Sequence, residues 1–201
     1  MQSLAYQPRT AGILIFDDVE VLDFCGPFEV FSVARLAAGE SEPVFTVLTI
    51  AEEDRLIRCR GGLLVQPHHT VDQHPPLDIL VVPGGPGTRR ERLNSRLLDW
   101  IAGQDRRTEL TSSVCTGAFL LAECGLLDGR QATTHWASVD WMASNYPRIE
   151  VLAAARVVDA GRVVTSAGVS AGIDMALHIV ARFYGADTAS ATARTMEYER
   201  R

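Results

Sequence analysis

The chain of 201 residues contains few cysteines, and none of them are closely spaced. The four are Cys25, Cys59, Cys115 and Cys124, with no Cys-x-x-Cys pair and no secretory context around them. Structural zinc sites and small disulfide-stapled folds depend on clustered cysteines. We therefore expect four reduced thiols in a cytoplasmic protein.

Long basic runs and long apolar runs are also missing. No basic block exceeds two residues, and 19 basic against 25 acidic residues give a net charge of −6. Nucleic-acid binding normally requires a basic patch, so binding to a nucleic acid is not expected here. No stretch approaches the ~18 apolar residues of a membrane span, and the first ten residues are polar. With 47% hydrophobic residues, residues 1–201 are predicted to form a single globular domain.

What the chain does contain is an alternation of strand and helix patterns. This alternation predicts an α/β fold around a mostly parallel central sheet. A hairpin with a turn at 159–161 is predicted within residues 157–164. Strands are predicted over 11–16, 44–50, 77–82, 110–114, 132–134, 149–158 and 163–165, and helices over 27–38, 91–104, 118–124, 137–145, 170–184 and 188–198.

The most informative segment surrounds Cys115. A β-prone run over 110–114 stops at this cysteine, and an apolar helical pattern begins directly afterwards and ends at Gly125. This order predicts a sharp strand-to-helix turn of the nucleophile-elbow type. The helix N-terminus would favour the reactive thiolate. A buried structural cysteine is the alternative, since free cysteines are commonly buried.

The loop after the first predicted strand offers Asp23 as a proton donor. It lies between Leu22 and Phe24, and an apolar setting raises the pKa of a carboxyl group. A helix N-terminal acid stabilised by the dipole is the plainer interpretation.

Two further strand ends carry candidate site residues, as expected for open α/β sheets. Gly84 and Gly85 follow the strand over 77–82, where backbone N–H groups could form an oxyanion hole. A turn that simply needs glycine is equally compatible. His135 follows the strand over 132–134 and could orient a substrate, or be a core histidine. His68, His69 and His74 lack companion ligands at fixed spacing, so no metal site is predicted.

Six segments in this order resemble the ThiJ/PfpI superfamily, which is related in fold to class I glutamine amidotransferases. They cover residues 22–31, 78–87, 113–122, 125–130, 132–136 and 165–174. The resemblance implies a flavodoxin-like three-layer sandwich, usually a homodimer, in which an acid from the first loop reaches the cysteine at the elbow.

Details within the motifs narrow this resemblance. Thr116 stands where the protease-like branch has histidine, and Asp23 stands where the deglycase branch has glutamate. The combination looks like the isonitrile hydratase group. It implies a cofactor-free enzyme in which Cys115 attacks an isonitrile and Asp23 manages protons. Thr116 would orient Asp23 or water, and Gly84, Gly85 and His135 would polarise or hold the substrate.

Two other functions fit the same motifs. One is a glyoxalase or deglycase acting on reactive carbonyls. The other is a non-catalytic thiol sensor related to the amidase-like domains of AraC-type regulators, in which oxidation of Cys115 would alter a dimer interface. Those regulators continue into a helix-turn-helix domain, which this sequence does not contain, so a DNA-binding regulator is not expected.

Overall fold

The computed structural model describes residues 8–36 and 42–199. Eleven strands are assigned: β1 Arg9–Leu14, β2 Phe45–Ala51, β3 Ile57–Arg58, β4 Leu64–Val65, β5 His69–Thr70, β6 Ile79–Val82, β7 Leu110–Val114, β8 Gln131–Ala132, β9 Glu150–Val151, β10 Val157–Asp159 and β11 Val163–Ser166. The α-helices are α1 Val21–Val33, α2 Thr88–Glu91, α3 Ser95–Asp105, α4 Gly117–Glu123, α5 Val139–Asn145, α6 Ala171–Tyr184 and α7 Ala186–Thr195.

A seven-stranded sheet in the order β10-β11-β7-β6-β1-β2-β5 forms the centre of the molecule. All neighbouring pairs are parallel except the hairpin of β10 and β11. The central strands β6 and β7 are buried along their whole length. This burial explains the continuous apolar sequence of β6, whereas β7 buries three hydroxyl side chains between Leu110 and Val114. The mostly parallel sheet predicted from the sequence is confirmed.

Helices pack on both faces of this sheet. One group, α1, α6 and α7, makes mutual contacts and contacts β2, β6, β7 and β11, whereas α2, α3 and α4 form a second group that contacts β6 and β7. These layers give the flavodoxin-like sandwich that was expected. The carboxyl ends of β1, β6 and β7 therefore meet at one edge, which is where such folds place their sites.

Several predicted elements differ from the structure in their bounds. Helix α1 begins at Val21 rather than at residue 27, and Pro27 lies inside it. The prediction that Pro27 marks the first turn is therefore wrong. The last two residues of the predicted helix, 37 and 38, lie outside the described residues. The strand predicted over 149–158 is two short strands, β9 and β10. The hairpin over 157–164 is confirmed. Within the part of the chain that the structure describes, no helix has the length and apolarity to cross a membrane.

Candidate active site

Cys115 occupies a tight turn between β7 and α4. Its φ of 58° lies in the left-handed region, which is costly for a residue with a side chain. Its N–H donates to the carbonyls of Ser166 and Ala167 at 3.1 and 3.2 Å, and the Thr134 hydroxyl donates to its carbonyl at 2.8 Å. These bonds hold the strained backbone, and the predicted elbow geometry is confirmed.

Two glycines allow neighbouring chain segments to approach the elbow. A Cβ atom on Gly117 would lie 2.1 Å from the Val82 carbonyl oxygen. A Cβ on Gly84 would lie 2.6 Å from the Thr116 nitrogen and 2.8 Å from the Cys115 Cβ. Any side chain at either position would push the loop after β6 away from the cysteine.

Asp23, in the first turn of α1, is fully buried beside the cysteine. Its Oδ2 accepts a hydrogen bond from the Gly84 N–H at 3.0 Å. Its Oδ1 has no partner of good hydrogen-bond geometry, although the carboxyl group interacts with the Cys115 thiol and the Val169 N–H. Burial is the main cause that raises the pKa of Asp23 to about 7, and the charge of Glu20 adds to it. The raised pKa expected from the apolar neighbours is thus confirmed.

The Cys115 thiol does not carry the lowered pKa that the sequence led us to expect. Burial, followed by the negative charge of Asp23, raises the pKa of this thiol to about 12. The N–H and hydroxyl of Thr116 act in the opposite direction, but α4 has only seven residues and does not overcome desolvation. The carboxyl and thiol titrate as a coupled pair, so the protonation of Asp23 controls the reactivity of Cys115.

Thr116 connects the elbow to the loop after β6 that contains Gly84 and Gly85, which is called the glycine loop from here on. Its Oγ1 accepts hydrogen bonds from the Gly85 N–H at 3.0 Å and from the Thr88 hydroxyl at 3.1 Å. The N–H groups of Gly84 and Gly85 are therefore engaged by Asp23 and Thr116 rather than pointing freely at a substrate. These bonds hold the acid and the threonine in place, and the role of the two glycines as an oxyanion hole stays a prediction.

A cavity of about 310 Å³ opens over Cys115 and Thr116. His135 lines it, and a Cβ on Gly168 would lie 2.2 Å from the His135 ring, so this glycine makes room for the imidazole. The His135 Nδ1 accepts from the Ala137 N–H at 3.3 Å, which assigns the ring proton of the neutral form to Nε2. The structure thus brings all six candidate residues to one edge of the sheet: Cys115, Asp23, Thr116, Gly84, Gly85 and His135.

Arg60, Arg89 and Val169 are among the cavity residues that were not found from the sequence. Val169 has a φ of 54°, which is rare for a β-branched residue and marks local strain beside the cysteine. No periodic pattern identifies Arg60, because it lies between the two-residue strands β3 and β4. Arg89 belongs to the short basic pair Arg89-Arg90, which carries no motif that would point to a site.

His68 and His74, which lie outside the cavity, have structural partners. The Nδ1 of His68 lies 3.0 Å from the Thr49 nitrogen, and His74 accepts from the Trp100 indole at 3.2 Å. Among residues 8–36 and 42–199, no group of three or more histidine, cysteine or acidic side chains is arranged to hold a metal ion. A larger cavity of about 510 Å³ lies near Phe16 and Glu91, but the candidate residues do not line it.

Comparison with known proteins places this site in context. The sequence profile of the DJ-1/PfpI family matches residues 9–182. The chain is 34% identical to the isonitrile hydratase of Pseudomonas putida over 93% of its own length and 77% of the relative's. Over 96% of its own length, the chain is 28% identical to the HTH-type transcriptional regulator GbdR of Pseudomonas aeruginosa. It spans about half (52%) of the length of that regulator.

Solved structures give the same picture of the fold. A ThiJ/PfpI family protein from Pseudomonas syringae superimposes with a TM-score of 0.85 at 28% identity, covering 97% of this chain and 77% of that one. DJ-1β of Drosophila melanogaster has a TM-score of 0.81 at 19% identity, with coverage of 96% and 100%.

Proposed function

The chain belongs to the DJ-1/PfpI family, and on this premise we propose that it is a cysteine-dependent isonitrile hydratase, which adds water to an isonitrile to give an N-substituted formamide. The observation that carries the proposal is the buried acid beside the elbow thiol, with a pKa of about 7. A group with this pKa can both accept and donate a proton near neutral pH. The identity to the P. putida isonitrile hydratase supports the choice of substrate.

The first half of the reaction forms a covalent thioimidate. The Cys115 thiol transfers its proton to the Asp23 carboxylate, and the sulfur attacks the terminal carbon of the isonitrile. Asp23 then returns the proton to that carbon, which leaves an R–N=CH–S linkage to the enzyme. Proton transfer to Asp23 removes the negative charge that raises the thiol pKa, so the acid activates the nucleophile as it is itself protonated.

The second half consumes water and frees the enzyme. Asp23 takes a proton from water while the oxygen bonds to the thioimidate carbon, and it passes this proton to the nitrogen. The remaining hydroxyl proton of the tetrahedral adduct then moves through Asp23 to the sulfur. The C–S bond breaks, and R–NH–CHO leaves. Each cycle consumes one isonitrile and one water and needs no cofactor.

The neighbouring residues have supporting roles in this proposal. Thr116 stabilises charge on the Cys115 sulfur through its N–H and hydroxyl. Gly84 and Gly85 hold Asp23 and Thr116 through their N–H groups, and His135 contacts the substrate within the cavity. We also propose that the protein works as a cytoplasmic homodimer on a small molecule rather than on a nucleic acid or a membrane.

Turnover of a simple alkyl isonitrile tests the proposal, with the formamide followed by chromatography. We expect formamide from the wild type, and none from Cys115→Ala or Asp23→Asn. Cys124→Ala is the matched control, because this thiol donates to the Leu98 carbonyl away from the cavity; it should retain wild-type rates. Near wild-type rates in Cys115→Ala would refute the mechanism, and lactate formed from methylglyoxal in place of formamide would replace the hydratase with a glyoxalase.

A further inference from the structure

A cationic side chain without an acidic partner stands at the cavity over Cys115. Arg89 lies in the short helix α2, directly after the glycine loop, and its side chain is exposed and lines the cavity. Within the ranges 8–36 and 42–199, no acidic group forms an ion pair with it. The guanidinium can therefore bind something that enters the cavity.

The other two cations near the cavity, Arg60 and Arg90, are already paired. Arg60, the second cation of the cavity, forms an ion pair of 2.5 Å with Glu20. Arg90, next to Arg89 in the chain, pairs with Glu91 at 2.8 Å and lies 3.6 Å from Asp18, and it lines different cavities. With Glu20 balanced by Arg60, Arg89 gives the cavity entrance an uncompensated positive charge.

We propose that Arg89 binds a carboxylate group of the substrate, so that the preferred substrate is a small anionic isonitrile. This inference rests on the proposed function only for the reacting group; the charge preference is a property of the cavity itself. Guanidinium groups bind carboxylates through paired, charge-assisted hydrogen bonds. The volume of about 310 Å³ is at the small end of the range for ligand pockets, which fits a short molecule spanning from Cys115 to Arg89.

Two alkylating reagents that differ in charge can test this preference without any turnover. Iodoacetate is an anion and iodoacetamide is neutral, and both alkylate the same sulfur. The ratio of their rate constants at Cys115, measured by mass spectrometry, cancels changes in thiol reactivity. We expect Arg89→Gln to lower the iodoacetate-to-iodoacetamide ratio by about three- to fivefold, as for loss of one partly exposed ion pair, and Arg89→Lys to keep most of it.

Arg90→Gln is the matched control, because it removes the same charge one residue away but outside this cavity. A ratio that falls in Arg89→Gln and stays near the wild-type value in Arg90→Gln supports the proposal. An unchanged ratio in Arg89→Gln overturns it. Equal decreases of the ratio in both variants also overturn the proposal, because they would reflect the overall electrostatic field of the protein.

A binding measurement covers the case in which neither reagent labels Cys115. Propionate and propionamide are titrated into the wild type and Arg89→Gln, and the amide NMR shifts of Thr116 and Val169 are followed. Propionate binding that is selective over propionamide and weakened severalfold in Arg89→Gln supports the carboxylate site. No propionate binding, or binding that Arg89→Gln leaves unchanged, overturns it. Loss of hydratase activity alone would leave both results intact, so the two proposals fail separately.

Discussion

Replacing Asp23 by Asn should make Cys115 more reactive toward alkylation while stopping catalysis. The Asn side chain has nearly the same shape, and its oxygen can still accept from the Gly84 N–H. The substitution removes the negative charge that raises the thiol pKa. A catalytic thiol normally loses reactivity when a residue of its site is lost, so the expected gain is a distinctive result.

The size of the gain follows from the charge removed. Two charges about 5 Å apart at an effective dielectric constant of about 20 repel by ~3 kcal/mol, which is about two pKa units. The thiol pKa should therefore fall from about 12 to about 10, and the thiolate fraction should rise by up to about 100-fold at alkaline pH, where Asp23 of the wild type, with a pKa of about 7, is ionised. A thiolate of lower pKa is a weaker nucleophile, so the net rate of alkylation should rise about tenfold.

The assay is the rate of iodoacetamide labelling at Cys115, resolved from the other cysteines by mass spectrometry, across a range of pH. Asp18→Asn is the control: it removes one exposed carboxylate of the same loop at a position with φ of 62°, which Asn tolerates. It should leave the rate within about twofold, as expected for a screened surface charge. Slower labelling of Asp23→Asn than of the wild type would show that Asp23 stabilises the thiolate as a hydrogen-bond donor, and would refute this reasoning.

Three further results follow from the site. The carboxyl of Asp23 has a pKa raised from 3.8 to about 7, so it contributes stability that is complete below pH 3.8 and is lost as the pH rises through 7. In urea unfolding at alkaline pH, the free energy of unfolding of Asp23→Asn should therefore exceed that of the wild type by up to about 4 kcal/mol. A difference that does not shrink toward pH 4 would contradict this. Gly117→Ala should destabilise by about 1–3 kcal/mol, because its Cβ would lie 2.1 Å from the Val82 carbonyl oxygen. Gly103→Ala in α3, whose Cβ would meet only the Arg106 side chain at 3.9 Å, should stabilise by about 0.5–1 kcal/mol; thermal melts that rank the two variants in the opposite order would disprove the packing argument. Thr116→Val should slow labelling of Cys115 severalfold, since its hydroxyl lowers the thiol pKa, and unchanged labelling would remove that role.

The elements that could be predicted from the sequence are those whose burial is uniform. Strand β7 was predicted with its observed bounds, because the β-prone run over 110–114 ends where the chain turns at Cys115. Strand β5 has only two residues, too few for a periodic pattern to emerge, and β8 and β9, also of two residues, were predicted with the wrong bounds. Helix α1 was predicted to start too late because Pro27 is typical of a first turn, while its real start at Val21 follows Glu20, which makes no side-chain capping bond.

At the site, too, features set by a local pattern could be predicted from the sequence, whereas contacts between distant residues could not. Cys115 could be located because a local pattern, strand directly followed by helix, creates the elbow. The acid could be located because its neighbours in the chain are apolar. The partners of the glycine N–H groups could not be predicted, since Asp23 and Gly84 are 61 residues apart and Gly85 and Thr116 are 31 apart. Arg89 was missed for a related reason, because its importance lies in which carboxylates are already paired with other cations.

The bonds from the Cys115 N–H to Ser166 and Ala167 also have a kinetic consequence. The elbow is completed only when β11 joins β7, so the nucleophile is shielded only once this pairing has formed. In the unfolded chain the thiol has an ordinary pKa near 8.5 and reacts readily, whereas in the native protein it is 6% exposed and mostly protonated. Pulsed alkylation of this single sulfur during refolding would thus time the moment at which the carboxyl-terminal third of the chain docks onto the sheet.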